Sequence, residues 1–374
     1  MSGIAFRSAR EIFFGSGVRA RLGALAAAMG SRALIVCGRR SLEASGALDE
    51  LRTLLEAAGV GVSIFAEVEA EPSLETVERG RAALRQDQCD VVVAAGGGSA
   101  LDVGKAIAGL GDDPEPVTLA SEACRPGRPC IALPTTSGTG AEVTPNSVLT
   151  DTATGGKASI RGHALLPEYA LVDPELTLSC PPDQTAWSGL DALTQAIEAY
   201  TSVGANAIST PLAEEAARRI AGSLRDAFAD GSDLRAREEM ALGSLMAGLA
   251  LASARLGLVH GLAHPLGSLY HLPHGQVCGA LLPWVMEFNT PAAREQYARL
   301  MQAIGICGNT GDLLDWISGL VGDLGAAVDF AQAGLNRDDF ARIIPPTLAS
   351  GSTKHNPRPV DEPALRALLE RLIA

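Results

Sequence analysis

Apolar residues follow two different rhythms along this chain. In the first half, short β-branched runs alternate with alanine-rich stretches of helical spacing. The runs Ala33–Cys37, Val62–Glu67, Val91–Ala95, Cys130–Thr135, Ser147–Thr150 and Ala170–Asp173 read as strands. Between the earlier ones, Leu42–Ala58 and Leu74–Arg85 read as helices, as does Ala100–Leu110 after the third run. Strands alternating with helices imply an α/β domain with a mostly parallel sheet covered on both faces. The stretch Ile4–Phe14 is suited to an edge strand, which hints at pairing between two copies. After Pro181-Pro182 the rhythm becomes helical almost throughout, with Ser188–Thr201, Pro211–Ala229, Leu234–Ala254 and Asp361–Ala374 as examples. The double proline therefore divides an α/β domain, residues 1–180, from an all-helical domain, residues 181–374.

Composition narrows the class. The 374 residues carry a net charge of −13, which argues against nucleic acid and anionic membrane surfaces as partners. Lysine occurs only at positions 105, 157 and 354, so nearly all positive charge is arginine. No apolar run reaches the roughly 18 residues of a membrane helix, and the N-terminus lacks the apolar core of a signal peptide. Seven scattered cysteines without a C-x-x-C pair suit reduced thiols in a cytoplasmic enzyme better than a disulfide framework.

Two loops carry anion-binding chemistry. Val91–Ala95 runs directly into Gly96-Gly97-Gly98-Ser99 and then into a helix. Bare backbone lets a phosphate approach, and the unpaired N–H groups and dipole of a helix N-terminus favour its charge. A tight strand-to-helix turn is the plainer alternative, because the spacing matches neither G-x-G-x-x-G nor a P-loop. The second loop, Pro134–Glu142, follows another strand and offers Thr135, Thr136, Ser137 and Thr139 beside two glycines. Thr139 and Glu142 have capping-box spacing for a following helix. Together the two loops place a dinucleotide at the C-terminal ends of parallel strands, with Lys157 as a point charge nearby.

The helical half carries a second constellation. Four of the six histidines lie between Val259 and His274, at 260, 264, 271 and 274. His260 and His264 are spaced i, i+4, which puts both on one helix face. Asp191 and Gln195 share that spacing inside an otherwise apolar helix. A buried carboxylate needs a partner, and Asp191 with two or three imidazoles can form a divalent-metal site. For any single histidine, an ordinary core or surface position is the alternative.

These residues resemble the iron-containing (group III) alcohol dehydrogenases. Gly96–Lys105 resembles their glycine loop, Pro134–Glu142 their threonine-rich loop, and Gly189–Tyr200 and His260–Pro283 their two metal segments, in the same order along nearly the whole chain. The resemblance implies a Rossmann-like N-terminal domain, an all-helical C-terminal domain of the dehydroquinate synthase-like architecture, and a cleft between them. It implies that Gly97, Gly98 and Ser99 hold the pyrophosphate of NAD(P)H, that Thr135, Thr136 and Thr139 line the dinucleotide with Lys157, and that Asp191, Gln195, His260 and His274 occupy the metal-ligand positions. His264 would sit by the nicotinamide and substrate, in proton transfer. The implied activity interconverts a small alcohol and its aldehyde or ketone, with Fe²⁺ or Zn²⁺ as Lewis acid.

Two departures bear on that expectation. Gln195 stands where the family has a histidine, and a neutral amide is a poorer ligand than imidazole. The first strand ends in Gly38-Arg39-Arg40, where the family often has an acidic residue that repels a ribose 2′-phosphate; this favours acceptance of NADP(H). Rival readings are a metal-independent oxo-acid reductase resembling the maleylacetate reductases, a dehydroquinate synthase, and a dinucleotide-binding module without catalysis. The few cations near the histidines disfavour the first, the three lysines the second, and the Asp/His cluster the third.

Overall fold

The computed structural model describes residues 3–111, 113–123, 127–153 and 156–374, with the side chains of Lys157 and Ala158 outside the description. Cys124 likewise lies outside the described residues. The α/β part contains β1 (Glu11–Phe14), α1 (Leu22–Ala27), β2 (Arg32–Gly38), α2 (Ser41–Ala44), α3 (Ala47–Ala57), β3 (Gly61–Val68), α4 (Leu74–Gln86), β4 (Val91–Gly96), α5 (Gly98–Leu110), β5 (Cys130–Pro134), β6 (Asn146–Asp151), β7 (Gly156–Arg161) and β8 (Tyr169–Val172). Six of these strands form one all-parallel sheet in the order β1-β8-β5-β4-β2-β3. Both faces are covered, so its central strands are near-continuous apolar runs. Along β2 the side chains alternate between cores. Ala33, Ile35 and Cys37 pack with Leu51 and Leu55 on one face, and Leu34 and Val36 pack with Val103 and Ile107 on the other.

Two predicted elements differ. Leu42–Ala58 is broken into α2 and α3 at Gly46, whose φ of 78° lies in the left-handed region that glycine enters without a Cβ clash. The predicted strand Ser147–Thr150 exists as β6, but outside the main sheet: it pairs antiparallel with β7, a strand the apolar pattern does not announce.

The helical part contains α6 (Pro182–Thr201), α7 (Ser209–Ala229), α8 (Leu234–Ala254), α9 (Leu258–Tyr270), α10 (His274–Ile304), α11 (Thr310–Asp323), α12 (Phe340–Ala349) and α13 (Glu362–Leu372). α6 starts earlier than its periodicity suggests. Pro182 occupies its first turn, where a missing N–H costs nothing and the fixed φ suits a helix. One continuous apolar core runs through these helices, with Leu190, Ile197, Leu262, Leu281 and Val285 among its members.

The chain divides into two compact units: Arg7–Thr136 with Gly140–Cys180, and Pro181–Ala374 with residues 3–6 and Ser137–Thr139. Two short segments before residue 181 thus group with the helices. No single helix among the described residues is long and apolar enough to cross a membrane.

Candidate functional site

In the α/β unit the chemistry gathers at the C-terminal ends of β2 and β4. The connection after β2 leads outward to β3, whereas β4 lies on its other side, so the strand order reverses between β2 and β4. Ligands of open parallel sheets bind at such a reversal. Gly38 ends β2 there with Arg39 next, and Gly96 ends β4, followed by Gly97 and by Gly98 at the start of α5.

Gly97 caps α5 without a side-chain bond, which leaves the first-turn N–H groups for an anion. A Cβ on Gly97 would meet Thr136 Oγ1 at 3.5 Å, and the Thr135 N–H donates to Gly96 O at 3.0 Å. The glycine loop and the start of the threonine loop are therefore side by side. The Ser99 hydroxyl donates to Ala70 O at 2.6 Å, so what Ser99 offers a phosphate is its backbone. Arg39 and Arg40 are exposed.

The rest of the threonine loop departs from expectation. There is no capping box and no regular helix. Gly140, with φ of 61°, precedes a single 3-10 turn at Ala141–Val143 that no side chain caps. Thr139 is exposed and groups with the helical unit. Glu142 is buried, and desolvation raises its carboxyl to about 7. Lys105, fully buried, is structural. Its ammonium donates to Ala141 O, Thr144 O, Thr144 Oγ1 and Asn146 O and pairs with Asp102 at 3.0 Å. The side chain of Lys157 lies outside the described residues.

In the helical unit, α6 packs against α10, and α10 against α9. Helical spacing lines up Asp191, Gln195 and Glu198 on α6, all buried. His260 reaches them from α9. Its Nε2 lies 3.2 Å from Asp191 Oδ1, and its Nδ1 lies 2.6 Å from Glu198 Oε2. Glu198 Oε1 also accepts the Val259 N–H at 2.7 Å. His274, at the start of α10, brings its Nε2 to 3.7 Å from Asp191 Oδ1. One turn on, Cys278 Sγ is 3.6 Å from His274 Nε2 and 4.0 Å from His260 Nε2.

Asp191, His260, His274 and Cys278 each offer a donor atom, all within 4.8 Å of one another. Two ligands at about 2.05 Å on tetrahedral zinc stand about 3.4 Å apart. The Asp191–His260 and Asp191–His274 separations straddle that value. The donor set fits a divalent metal, and the Glu198–His260 bond orients the imidazole so that its Nε2 faces the other donors.

Gln195 joins this cluster through Asp191. Its Nε2 donates to Asp191 Oδ2 at 3.0 Å, and its Oε1 is a buried acceptor without a partner. His264, half-buried, stacks on His274 with ring centroids 5.1 Å apart. His271 is exposed, capping α9 in the left-handed region, and takes no part.

Electrostatics follow from burial and neighbours. Burial opposes ionisation of Asp191, but the hydrogen bond from His260 and the charge of His274 outweigh it and hold the carboxyl below its usual range. Burial also opposes charge on His260. Cys278, Glu198 and Asp191 together reverse that and raise it well above an ordinary imidazole. Desolvation pushes the Cys278 thiol up to about 12.

Residue 278 and residue 198 escaped the sequence reading. Their signal was spacing alone: Cys278 is four residues after His274, and Glu198 three after Gln195 and seven after Asp191.

Two family models match, each to one part of the chain: "Iron-containing alcohol dehydrogenase" over residues 9–174, and "Fe-containing alcohol dehydrogenase family, C-terminal" over residues 185–373. The chain belongs to the iron-containing alcohol dehydrogenase family. It is 33% identical over 382 residues to the NADPH-dependent butanol dehydrogenase of Clostridium saccharobutylicum, covering 98% of this chain and 97% of the relative. It is 38% identical to the 1,3-propanediol dehydrogenase of Klebsiella pneumoniae, covering 91% of each. The crystal structure of a 1,3-propanediol oxidoreductase matches with a TM-score of 0.95 at 35% identity, covering 99% of this chain and 100% of that one. This family of alcohol dehydrogenases uses NAD(P) and a divalent metal, and the chain is an oxidoreductase of that kind.

Proposed function

We propose that this alcohol dehydrogenase interconverts a small alcohol and its aldehyde or ketone, with metal assistance from the α6/α9/α10 cluster and acceptance of NADP(H). The observation that carries the reading is the convergence of Asp191, His260 and His274 on one buried point. The metal supplies Lewis acidity at the substrate oxygen when bound, which lowers an alcohol's pKa or polarises a carbonyl. Asp191 and the two imidazoles would hold it, and Glu198 fixes the tautomer of His260 by accepting the hydrogen bond from its Nδ1–H. His264 exchanges a proton with the substrate oxygen through its imidazole.

Gly97, Gly98 and the Ser99 backbone bind the pyrophosphate at the α5 N-terminus, and Thr135 and Thr136 border it. Arg39, exposed at the end of β2, pairs with a ribose 2′-phosphate. The named NADPH dependence of the butanol dehydrogenase relative is in line with this. Thr139 and Lys157 remain proposed cofactor contacts on the strength of the family pattern. The partner is a small alcohol or carbonyl compound, with neither nucleic acid nor membrane. Buried thiols at Cys37, Cys89 and Cys130 suit a cytoplasmic setting. β1, at one edge of the sheet, offers a strand for pairing in a homodimer.

Steady-state turnover with NADH and NADPH over a panel of small aldehydes, ketones and oxo-acids tests the reading. Arg39→Ala is expected to lower kcat/KM for NADPH and leave NADH unchanged; a strong NAD preference untouched by the substitution refutes the cofactor assignment. His264→Ala is expected to lower kcat far more than cofactor affinity. Full activity in protein free of metal by elemental analysis, or turnover confined to oxo-acids, overturns the metal-assisted alcohol reading.

A further inference from the structure

The helical unit holds one more donor than the sequence motif names. Cys278 is fully buried on α10, one turn after His274 and therefore on the same helix face. Its neighbours Val277 and Leu281 belong to the apolar core, while its sulfur lies against two imidazoles.

The distances have the proportions of a coordination shell. For tetrahedral zinc with Zn–S of about 2.3 Å and Zn–N of about 2.05 Å, sulfur and nitrogen stand about 3.6 Å apart. The two observed S···N separations are 3.6 and 4.0 Å. With the Asp191 separations of 3.2 and 3.7 Å, four edges of the tetrahedron are within about 0.4 Å of their ideal lengths.

Gln195 meets the cluster through Asp191. An ionised Asp191 has only acceptors, so the amide must turn its NH₂ toward it, as observed at 3.0 Å. That hydrogen bond orients Asp191 and makes Gln195 a positioning residue.

We infer that Cys278 is the fourth protein ligand of this metal site, binding as a thiolate in place of the histidine that Gln195 replaces. A thiolate is a soft donor, so the Asp191, His260, His274, Cys278 set favours zinc over ferrous iron more strongly than a set of nitrogen and oxygen donors alone. The inference rests on the metal-assisted reading above and adds to it a change of ligand type.

Cobalt(II) tests it without reference to turnover. The full-length protein is stripped with a chelator and titrated with Co²⁺ to one ion per chain, and its absorption spectrum is recorded. The expected result is a near-ultraviolet thiolate-to-cobalt charge-transfer band beside the visible d–d bands. Cys278→Ser is expected to lose the charge-transfer band and bind zinc more than 100-fold more weakly, beyond the 10–100-fold typical of a lost outer-shell partner. Its zinc-to-iron preference in anaerobic competition is expected to fall as well. Gln195→Ala, Cys180→Ser and Cys307→Ser are expected to keep the band, the last two excluding the half-buried and exposed thiols among the described residues. The wild-type spectrum and Cys307→Ser remain decisive even where Cys278→Ser does not fold. Cobalt bound with d–d bands but no charge transfer overturns the cysteine assignment and leaves the metal reading standing. Failure to bind cobalt at all overturns both.

Discussion

Glu198→Gln is the sharpest available perturbation, because it removes one charge and one acceptor oxygen with almost no change of volume. The Glu198 carboxylate accepts two N–H groups in a buried place: Val259 N at 2.7 Å and His260 Nδ1 at 2.6 Å. A glutamine has one acceptor for those two donors. If its oxygen keeps the Val259 bond, its NH₂ faces Nδ1, which must then become the acceptor. The His260 proton moves to Nε2, the nitrogen 3.2 Å from Asp191 that points into the donor cluster. A protonated Nε2 cannot ligate a metal. The opposite orientation of the amide leaves the Val259 N–H buried without a partner, at a cost of about 1–3 kcal/mol. In the first orientation by the wrong tautomer, and in the second by loss of the carboxylate charge that makes the ring a stronger donor, zinc affinity is expected to fall by roughly 10–100-fold, or about 1.4–2.7 kcal/mol. Titration against a competing chelator measures it directly, and kcat at saturating zinc shows whether the site still works once filled. Wild-type zinc affinity in Glu198→Gln would falsify the argument that this carboxylate fixes the ligating tautomer.

Two further outcomes follow from the α/β unit. Gly97→Ala keeps its fold, because φ of −72° and ψ of −179° suit any residue and the added methyl meets Thr136 only at 3.5 Å; dinucleotide affinity is nonetheless expected to fall, as measured by fluorescence titration, and unchanged affinity would remove Gly97 from the phosphate site. Glu142 has its carboxyl raised from 4.5 to about 7 by burial, so the fold prefers the neutral acid. Its stabilising effect is present below pH 4.5 and is lost as pH rises through 7, a difference reaching about 3 kcal/mol. Glu142→Gln is expected to flatten the loss of stability over that window in denaturation series at several pH values; parallel curves for the two proteins would show that the buried acid is not its source.

The legible parts of this protein are those whose signal is local. A strand covered on both faces must be apolar at every position, so Val91–Gly96 and its neighbours stand out of the sequence as runs. Helices with one buried stripe repeat every three or four residues, and Pro211–Ala229 stands out in this way within α7, which buries Ala213, Ala216, Ala217, Ile220, Leu224 and Ala227. β7, written Gly-Lys-Ala-Ser-Ile-Arg, has no such run, because it forms a small hairpin with β6 apart from the main sheet. Its pairing sets it, and pairing is not local.

The site divides in the same way. The i, i+4 histidines, the fixed step to His274 and the aspartate on an apolar helix are properties of the chain, and they are sufficient to expose a metal-binding pattern and the odd glutamine within it. What the chain does not display is which groups meet. A cysteine amid Val277, Gly279 and Leu281 reads as core, and a glutamate within α6 reads as a solvated helix face. Only the packing of α6, α9 and α10 brings Glu198 beneath His260, 62 residues away, and sets Cys278 against the same ring, 18 residues away. The sequence by itself determined the fold class, the family and the kind of chemistry, because each is written in short-range spacing. The tertiary structure decided which donors meet and what supports them, because a donor can become a ligand only through distance to its partners, and that distance is fixed by helices far apart in the chain.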